Sequence, residues 1–520
     1  MQTPIPQLTR DSTINLVLDT LAKKKQALVF VNSKRSAEKQ AEDLSKKTKL
    51  ESHELKVLAE QLQSVLDKPT HQCERLALCV KQGVAFHHAG LASKQKEIIE
   101  EQFRKGTIKV ICCTPTLAYG LDLPAFRSII RDVKRYGHRG MDFIPVLDYL
   151  QMAGRAGRPK FDAWGEAILL ADTEPEADDL LERYIQGEPE EIFSKLAVEP
   201  VLRTYILSLI AARFVRTRSE IMEFFGRTFW AHQFEDVDKL AAIIDKMLRL
   251  LQEWEFVQKA EGEFAPASEV SDPPYRATFL GQRVAELYLD PLTAHQLRKA
   301  MTRGAEEKVT GIFPWLHILS RTLEMRPLSG VRQKEYELVS QKLALAESTL
   351  LEREPSSFDP EYDSYLEAVK LAMILEEWCE ERDEEFILET YNIRPGELRT
   401  KLSRLDWLLY ACHELAHILQ FNDLLKEIRK ARIRAKYGVK EELLSLIRLE
   451  GIGRMRARIL WRNSIKDLGD VKNVEQKRLA DLLGAKLASS LKKQVGEDVQ
   501  GDGKLDQYAL PAEKAGKNNE

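Results

Sequence analysis

The sequence predicts an α/β domain built on a parallel sheet, followed by mainly α-helical domains. Short apolar runs alternate with helical patterns across residues 11–170, the rhythm of strand–helix–strand units. Polar runs, most of them carrying glycine, follow those strands, at the edge where parallel sheets hold ligands. From about residue 191 the pattern turns helical, and over 291–435 the amphipathic runs are long and glycines few.

Ala27-Leu28-Val29-Phe30-Val31 reads as a strand, with Asn32-Ser33-Lys34-Arg35-Ser36 opening a helix rich in Ala, Glu and Lys. Lys109 to Cys113 reads as another and runs into Thr114-Pro115-Thr116-Leu117-Ala118-Tyr119-Gly120-Leu121-Asp122-Leu123-Pro124. Ser128 to Tyr136, the glycine-bounded turn Gly137–Gly140 and Met141 to Tyr149 alternate like a β-hairpin, with a plain strand connection as the alternative. Gln151-Met152-Ala153-Gly154-Arg155-Ala156-Gly157-Arg158 follows. Its glycines let backbone approach a phosphate, and two arginines three apart share a helix face. Guanidinium forks suit phosphoryl oxygens, and an arginine offered across an interface stabilises charge in phosphoryl transfer. A surface ion-pair cluster is the alternative.

From Leu196 to about Asp290 short helices surround one strand-like pair, Glu255-Phe256-Val257 and Ala277-Thr278-Phe279-Leu280. A helix from about Gly396 to Lys436 carries an apolar seam of Leu398, Leu402, Leu405, Leu409, Cys412, Ala416 and Leu419. Trp407 points away from that seam, near Thr400, Arg404 and Ala411. An exposed indole there either stacks on bases or packs against another domain. His413-Glu414-Leu415-Ala416-His417 formally matches a zinc-protease pattern. No third ligand follows at a useful distance, so no metal is expected there. Leu449-Glu450-Gly451-Ile452-Gly453-Arg454-Met455-Arg456-Ala457 reads as a hairpin whose glycines turn helix-start amides toward a phosphate, with arginines adding charge.

At 520 residues the chain has room for several domains, at roughly 150 residues each. Its net charge of −3 argues against a nucleic-acid partner only superficially. Between Lys426 and Lys466 thirteen bases face four acids, a local +9. Such a stripe holds phosphates whatever the rest of the chain does, although a solvated helix face would look the same. No apolar run approaches the roughly 18 residues of a membrane span, and the first residues lack a signal-peptide pattern. The six cysteines show neither metal spacing nor a disulfide framework, so a reducing, cytoplasmic setting is expected. The polar stretch after about Val495 is expected to be disordered. Asp498 to Asp506 echoes a calcium loop but has Ala509 at the twelfth position, against that reading.

Four runs, VFVNSKRSAE, FHHAGL, TPTLAYGLDLPA and QMAGRAGRP, resemble motifs IV to VI of the second RecA-like lobe of superfamily-two helicases. They resemble the Ski-two-like group, and most closely the archaeal helicase-308 family, over nearly the whole chain. The resemblance implies a RecA-like lobe over 1–190, a winged helix over 191–290, a helical ratchet domain over 291–435, a helix-hairpin-helix over 436–495 and a tail over 496–520. It implies that Gln151, Arg155 and Arg158 contact ATP, with Gly154 beside them and Arg158 as the arginine finger. Gly120 and Asp122 would lie by the nucleotide, although the family pattern has asparagine at the position of Asp122. Asn32, His88, Gly90, Thr114 and Thr116 would lie along the DNA backbone. The hairpin with Tyr136 would split the duplex. Trp407, with Arg399 or Arg404, would ride the single strand, and Gly451, Gly453, Arg454 and Arg456 would grip phosphates.

A helicase motor also needs a P-loop and an acidic box to hold ATP and magnesium. The only Gly-Lys pairs, Gly503-Lys504 and Gly516-Lys517, are not followed by Ser or Thr, and Asp383-Glu384-Glu385-Phe386 lies among helices. The expected function is therefore the C-terminal part of an ATP-dependent 3′–5′ DNA helicase acting on single-stranded and forked DNA in repair and recombination. Mg2+ would be held by a first lobe on a separate polypeptide. The rival is a non-catalytic fork-binding protein derived from a helicase.

Overall fold

A computed structural model of the chain describes residues 4–66, 68–119, 123–137, 140–157, 162–196, 198–234, 237–259 and 272–496. They fall into two compact units: Met1–Ile192 with Asp383–Thr400, and Phe193–Arg382 with Lys401–Glu520.

In the first unit, strands β1 (Ala27–Phe30), β2 (Val84–His87), β3 (Val110–Cys113), β4 (Arg127–Ile130) and a later edge strand, Glu166–Leu169, form one sheet. Its order is β2-β3-β1-β4-edge and every pairing is parallel, with Leu28 beside Ile111 on one side and Ser128 on the other. Every residue of β1 to β4 is buried, which is why β1 and β3 read as unbroken apolar runs rather than alternations. The surrounding helices α1 (Ser12–Ala22), α2 (Lys34–Ser45), α3 (His53–Gln63) and α4 (His71–Val80) start where Asp11, Ser33, Ser52 and Thr70 cap a backbone N–H three residues on. Helix α5 (Ser93–Lys105) stops at Gly106, whose φ of 81° is left-handed. On β4 the fully buried Arg127 donates to Asp19, Glu166, Thr20 and the Leu16 carbonyl, tying α1 to the edge strand.

The hairpin exists but is shorter than its sequence pattern. Residues 127–130 belong to the main sheet, and only Lys134–Gly137 and Gly140–Phe143 pair, with Tyr136 opposite Met141. Pro145, lacking an N–H, ends the second arm and precedes helix α6 (Val146–Ala153).

The segment Asp383–Thr400 returns to this unit. Asp383 caps the helix Glu384–Tyr391, so the acidic run is a helix start. Asn392 at φ 57° ends that helix, and a 24-residue helix, Pro395–Ile418, begins. Its Gly396 N–H donates to the Gly90 carbonyl at 3.0 Å. A Cβ on Gly396 would lie 2.2 Å from the Leu91 carbonyl oxygen and 2.5 Å from that of Ala89. Only glycine permits this approach.

In the second unit, helices Glu199–Ala211, Arg218–Gly226, Phe229–Phe234 and Val237–Glu253 precede a two-stranded antiparallel ribbon, Val257–Lys259 with Tyr275–Ala277. The ribbon stops at Ala277 because Thr278 caps the helix Phe279–Glu286, so the strand reading of 277–280 is corrected. Residues 291–382 and 401–437 carry helices and no strands, in line with the helical pattern over 291–435. The single helix expected over 396–436 is two, because Gln420 adopts φ 62° between Ile418 and the helix Asn422–Tyr437. Five short helices from Leu444 to Gly496 close on their own core of Val439, Leu443, Leu446, Ile452, Ala457, Leu460, Val471, Leu479, Ala488 and Leu491. All six cysteines are buried free thiols. Among the described residues no helix is long and apolar enough to cross a membrane.

Candidate functional site

Beyond the carboxyl ends of β1, β3 and β4 the first unit encloses a cavity of about 1130 Å³. Its walls come from Asn32–Arg35 after β1, Thr114–Thr116 and Tyr119 after β3, Asp132 after β4, and Glu385, Leu388, Glu389, Asn392 and Arg394 of the returning segment. The sheet topology explains the gathering, since parallel strands deliver every such loop to one edge.

Asn32 is exposed; its N–H donates to Asp132 at 3.0 Å and its side-chain oxygen accepts from Ser36. The Thr114 and Thr116 hydroxyls lie 2.9 Å apart on the cavity wall. His88 and Gly90 are not among the residues that line the cavity. The His88 ring is fully buried, with Nδ1 accepting from the Gly90 N–H at 3.1 Å and Nε2 3.2 Å from Glu38. Glu38, buried on α2, also accepts from Arg75 at 2.9 Å and Arg394 at 2.9 Å. Burial alone would push its carboxyl up; hydrogen bonds and charge from His88 and Arg394 outweigh that and bring it to about 2. Burial holds the His88 imidazole below its ordinary value, against the pull of Glu38. These groups position the wall that Arg394 and Ala89 present.

Arg155 closes the end of α6. Its guanidinium donates to the Ala118 carbonyl in the turn after β3, and its own carbonyl accepts from the Ala125 N–H at 2.9 Å. Gly154 caps α6, and Gly157, at φ 92°, returns an N–H to the Ala125 carbonyl at 2.7 Å. Gln151 is exposed on α6. Gly120, Asp122 and Arg158 lie outside the described residues, as does the Asp498–Asp506 run. For ATP, the described residues thus offer a guanidinium and a carboxamide, donors suited to phosphoryl oxygens. Among the described residues no group of three or more His, Cys, Asp or Glu could hold a metal ion.

Arg399, half exposed in the first unit, is paired through Nε and Nη2 with Glu384 at 3.1 and 2.9 Å. In the second unit Arg404 donates to the carbonyls of Glu324 and Arg326 at 3.0 and 2.7 Å. Trp407 is half-buried rather than exposed, and its Nε1–H donates to the Leu287 carbonyl at 3.1 Å. Leu408, Ala411 and Leu415 are buried along with the seam, so the helix is packed on more than one face. Glu414, between the two histidines, pairs with Arg283 at 2.9 Å.

The basic stripe is also less bare than its count. Arg432 pairs with Asp406, Arg434 and Lys440 with Glu380, Arg458 with Glu381 and Glu442, and Lys430 with Glu427 and Glu441. Gly451 takes φ 80°, and Gly453 precedes the helix Arg454–Arg462. Arg456 is exposed and donates to the Gly451 carbonyl at 2.7 Å. Arg454 donates to the Arg382 carbonyl at 2.7 Å and lies over the Trp378 ring at 5.0 Å.

Sequence reasoning missed Arg394, Glu38 and Tyr119. Arg394 meets Glu38 across 356 positions, which no local pattern signals. Tyr119 sat inside a recognised motif, and its aromatic character was the available signal.

Residues 59–160 match the family model of the helicase conserved C-terminal domain, and residues 313–438 that of archaeal helicase, domain 4. The ATP-dependent DNA helicase Hel308 of Pyrococcus horikoshii is 38% identical over 512 residues, covering 95% of this chain and 68% of that protein. Its namesake in Methanocella arvoryzae is 38% identical over 499 residues, covering 94% and 65%. That of Methanococcus vannielii is 34% identical over 523 residues, covering 93% and 68%. The chain spans about two thirds of the length of these relatives. With helicase models matching both units and such identity along nearly its whole length, the chain belongs to the Hel308 family of helicases.

Proposed function

We propose that this chain is the C-terminal part of an ATP-dependent 3′–5′ DNA helicase that acts on single-stranded and forked DNA in repair and recombination. The observation that carries this reading is the Arg155–Ala118 bond. It joins the arginine run that would face ATP to the turn whose Thr114 and Thr116 line the cavity with Asn32. Nucleotide state at Arg155 then bears directly on the strand-facing turn. In this reading residues 191–290 are a winged helix, 436–495 a helix-hairpin-helix, and the Lys134–Phe143 hairpin a pin that parts the duplex. Magnesium and the P-loop would belong to a first lobe.

The test is reconstitution. The chain alone is expected to show no DNA-stimulated ATP hydrolysis, and to gain it with a separately expressed first lobe of the family. Arg158→Ala should then lower turnover on the order of 10³-fold. The rival is a fork-binding protein without a motor. Failure of family first lobes to restore hydrolysis, with DNA binding intact, would decide for it.

A further inference from the structure

We propose that Tyr119 is a base-stacking platform on the cavity wall of the first unit, holding a nucleobase of the bound single strand. The proposal rests on the nucleic-acid reading of that cavity and adds a contact to it. Tyr119 is 44% exposed and lines the cavity beside Thr116. Its hydroxyl donates to Asp148 on α6, and the same carboxylate accepts from Arg135 on the hairpin at 3.3 Å. The phenol is therefore pinned at its far end while its ring stays accessible, so little conformational entropy is lost when a base stacks on it.

Charge points the same way. Five basic and five acidic side chains line the cavity, so its formal charge cancels. A strand entering it is not held by net charge. Hydrogen bonds from groups such as Thr116 and a flat aromatic face are what remain. Every base has a π-face, so such a contact is indifferent to sequence, as a translocating motor requires.

The alternative is that Tyr119 is only a strut joining the turn, α6 and the hairpin. Affinities of the full chain for labelled oligo-dT and for an abasic polymer of the same length, by fluorescence anisotropy, separate the two. Tyr119→Ala should weaken oligo-dT binding by roughly 5- to 150-fold and leave abasic binding unchanged. Tyr119→Phe, which loses the Asp148 bond but keeps the ring, should bind oligo-dT like the parent. Equal losses on both polymers, an unchanged Tyr119→Ala affinity for oligo-dT, or a Tyr119→Phe loss matching Tyr119→Ala would each overturn the platform. Failure of the parent chain to bind oligo-dT at all would instead overturn the nucleic-acid reading, and the platform with it.

Discussion

The Glu38 carboxylate accepts a hydrogen bond from the Arg394 guanidinium at 2.9 Å, joining residues 356 positions apart within one compact unit. His88 and Arg75 converge on the same carboxylate, so helices α2 and α4, the turn after β2 and the returning segment share one buried ion cluster.

Acid should therefore loosen the first unit. Glu38 has a folded pKa near 2, below its ordinary 4.5, so its contribution is complete above about pH 4.5 and is lost as pH falls toward 2. Burial holds the His88 imidazole below its ordinary 6.5, so protonation favours the unfolded chain as pH drops past that value. Both effects have the same sign and follow in sequence. Glu38→Gln should cost about 3 kcal/mol at neutral pH, because it leaves buried cations without their carboxylate. It should also flatten the decline below pH 4.5. Hydrogen exchange of the α2 amides against pH checks both; a variant profile parallel to the parent's would refute the assignment.

Trp407 carries a different expectation. With its indole half-buried and bonded to Leu287, Trp407→Phe should lose about 0.5–1.5 kcal/mol of stability. If the ring face also stacks on DNA, oligo-dT affinity should survive Trp407→Phe and fall with Trp407→Ala. Urea melts beside binding titrations separate the packing role from the stacking role.

The arginines of the Gly451–Ala457 hairpin should behave unequally. Arg456 is exposed, with one bond to its own turn, whereas Arg454 is half-buried over Trp378. Arg456→Ala should reduce the slope of log affinity against log salt by about one phosphate contact and leave the melting temperature alone. Arg454→Ala should lower the melting temperature as well. Equal salt slopes for the parent and Arg456→Ala would exclude a phosphate role for that side chain.

What was legible in the sequence was what local chemistry determines. Buried parallel strands are short apolar runs, and β1 and β3 fell within a residue of their expected ends. The helix after β1 was legible too, opening in the Asn32–Ser36 run where Ser33 caps it. Long-range partners were not legible. The +9 stripe looked bare because Glu380, Glu381 and Asp406, which neutralise much of it, lie outside residues 426–466. Trp407 looked exposed because a helical wheel knows one helix's own periodicity and nothing of a neighbour on its second face. The hairpin looked long because Arg127–Ile130, a core strand, continues into it without a break in pattern.

The two glycines at the junction of the returning segment should tolerate a methyl group very differently. At Gly396 a Cβ meets backbone carbonyl oxygens at 2.2 and 2.5 Å, and neither can rotate away. At Gly90 the nearest atom is the Arg394 Cδ at 2.3 Å, part of a flexible side chain, with His88 Nδ1 at 3.0 Å. Neither glycine has a left-handed φ, so the difference is one of space rather than backbone strain. Gly90→Ala should cost less, about 1–2 kcal/mol, because the Arg394 side chain can shift by rotation while keeping its pair with Glu38. Gly396→Ala should cost about 3 kcal/mol or more, because relief requires the backbones to part and breaks the Gly396–Gly90 hydrogen bond. Limited proteolysis across residues 383–394 reads the outcome directly. Gly396→Ala should be cut much faster than the parent and Gly90→Ala only slightly faster. The reverse order would mean that the Arg394–Glu38 pair, rather than the close backbone contact, holds the segment in place.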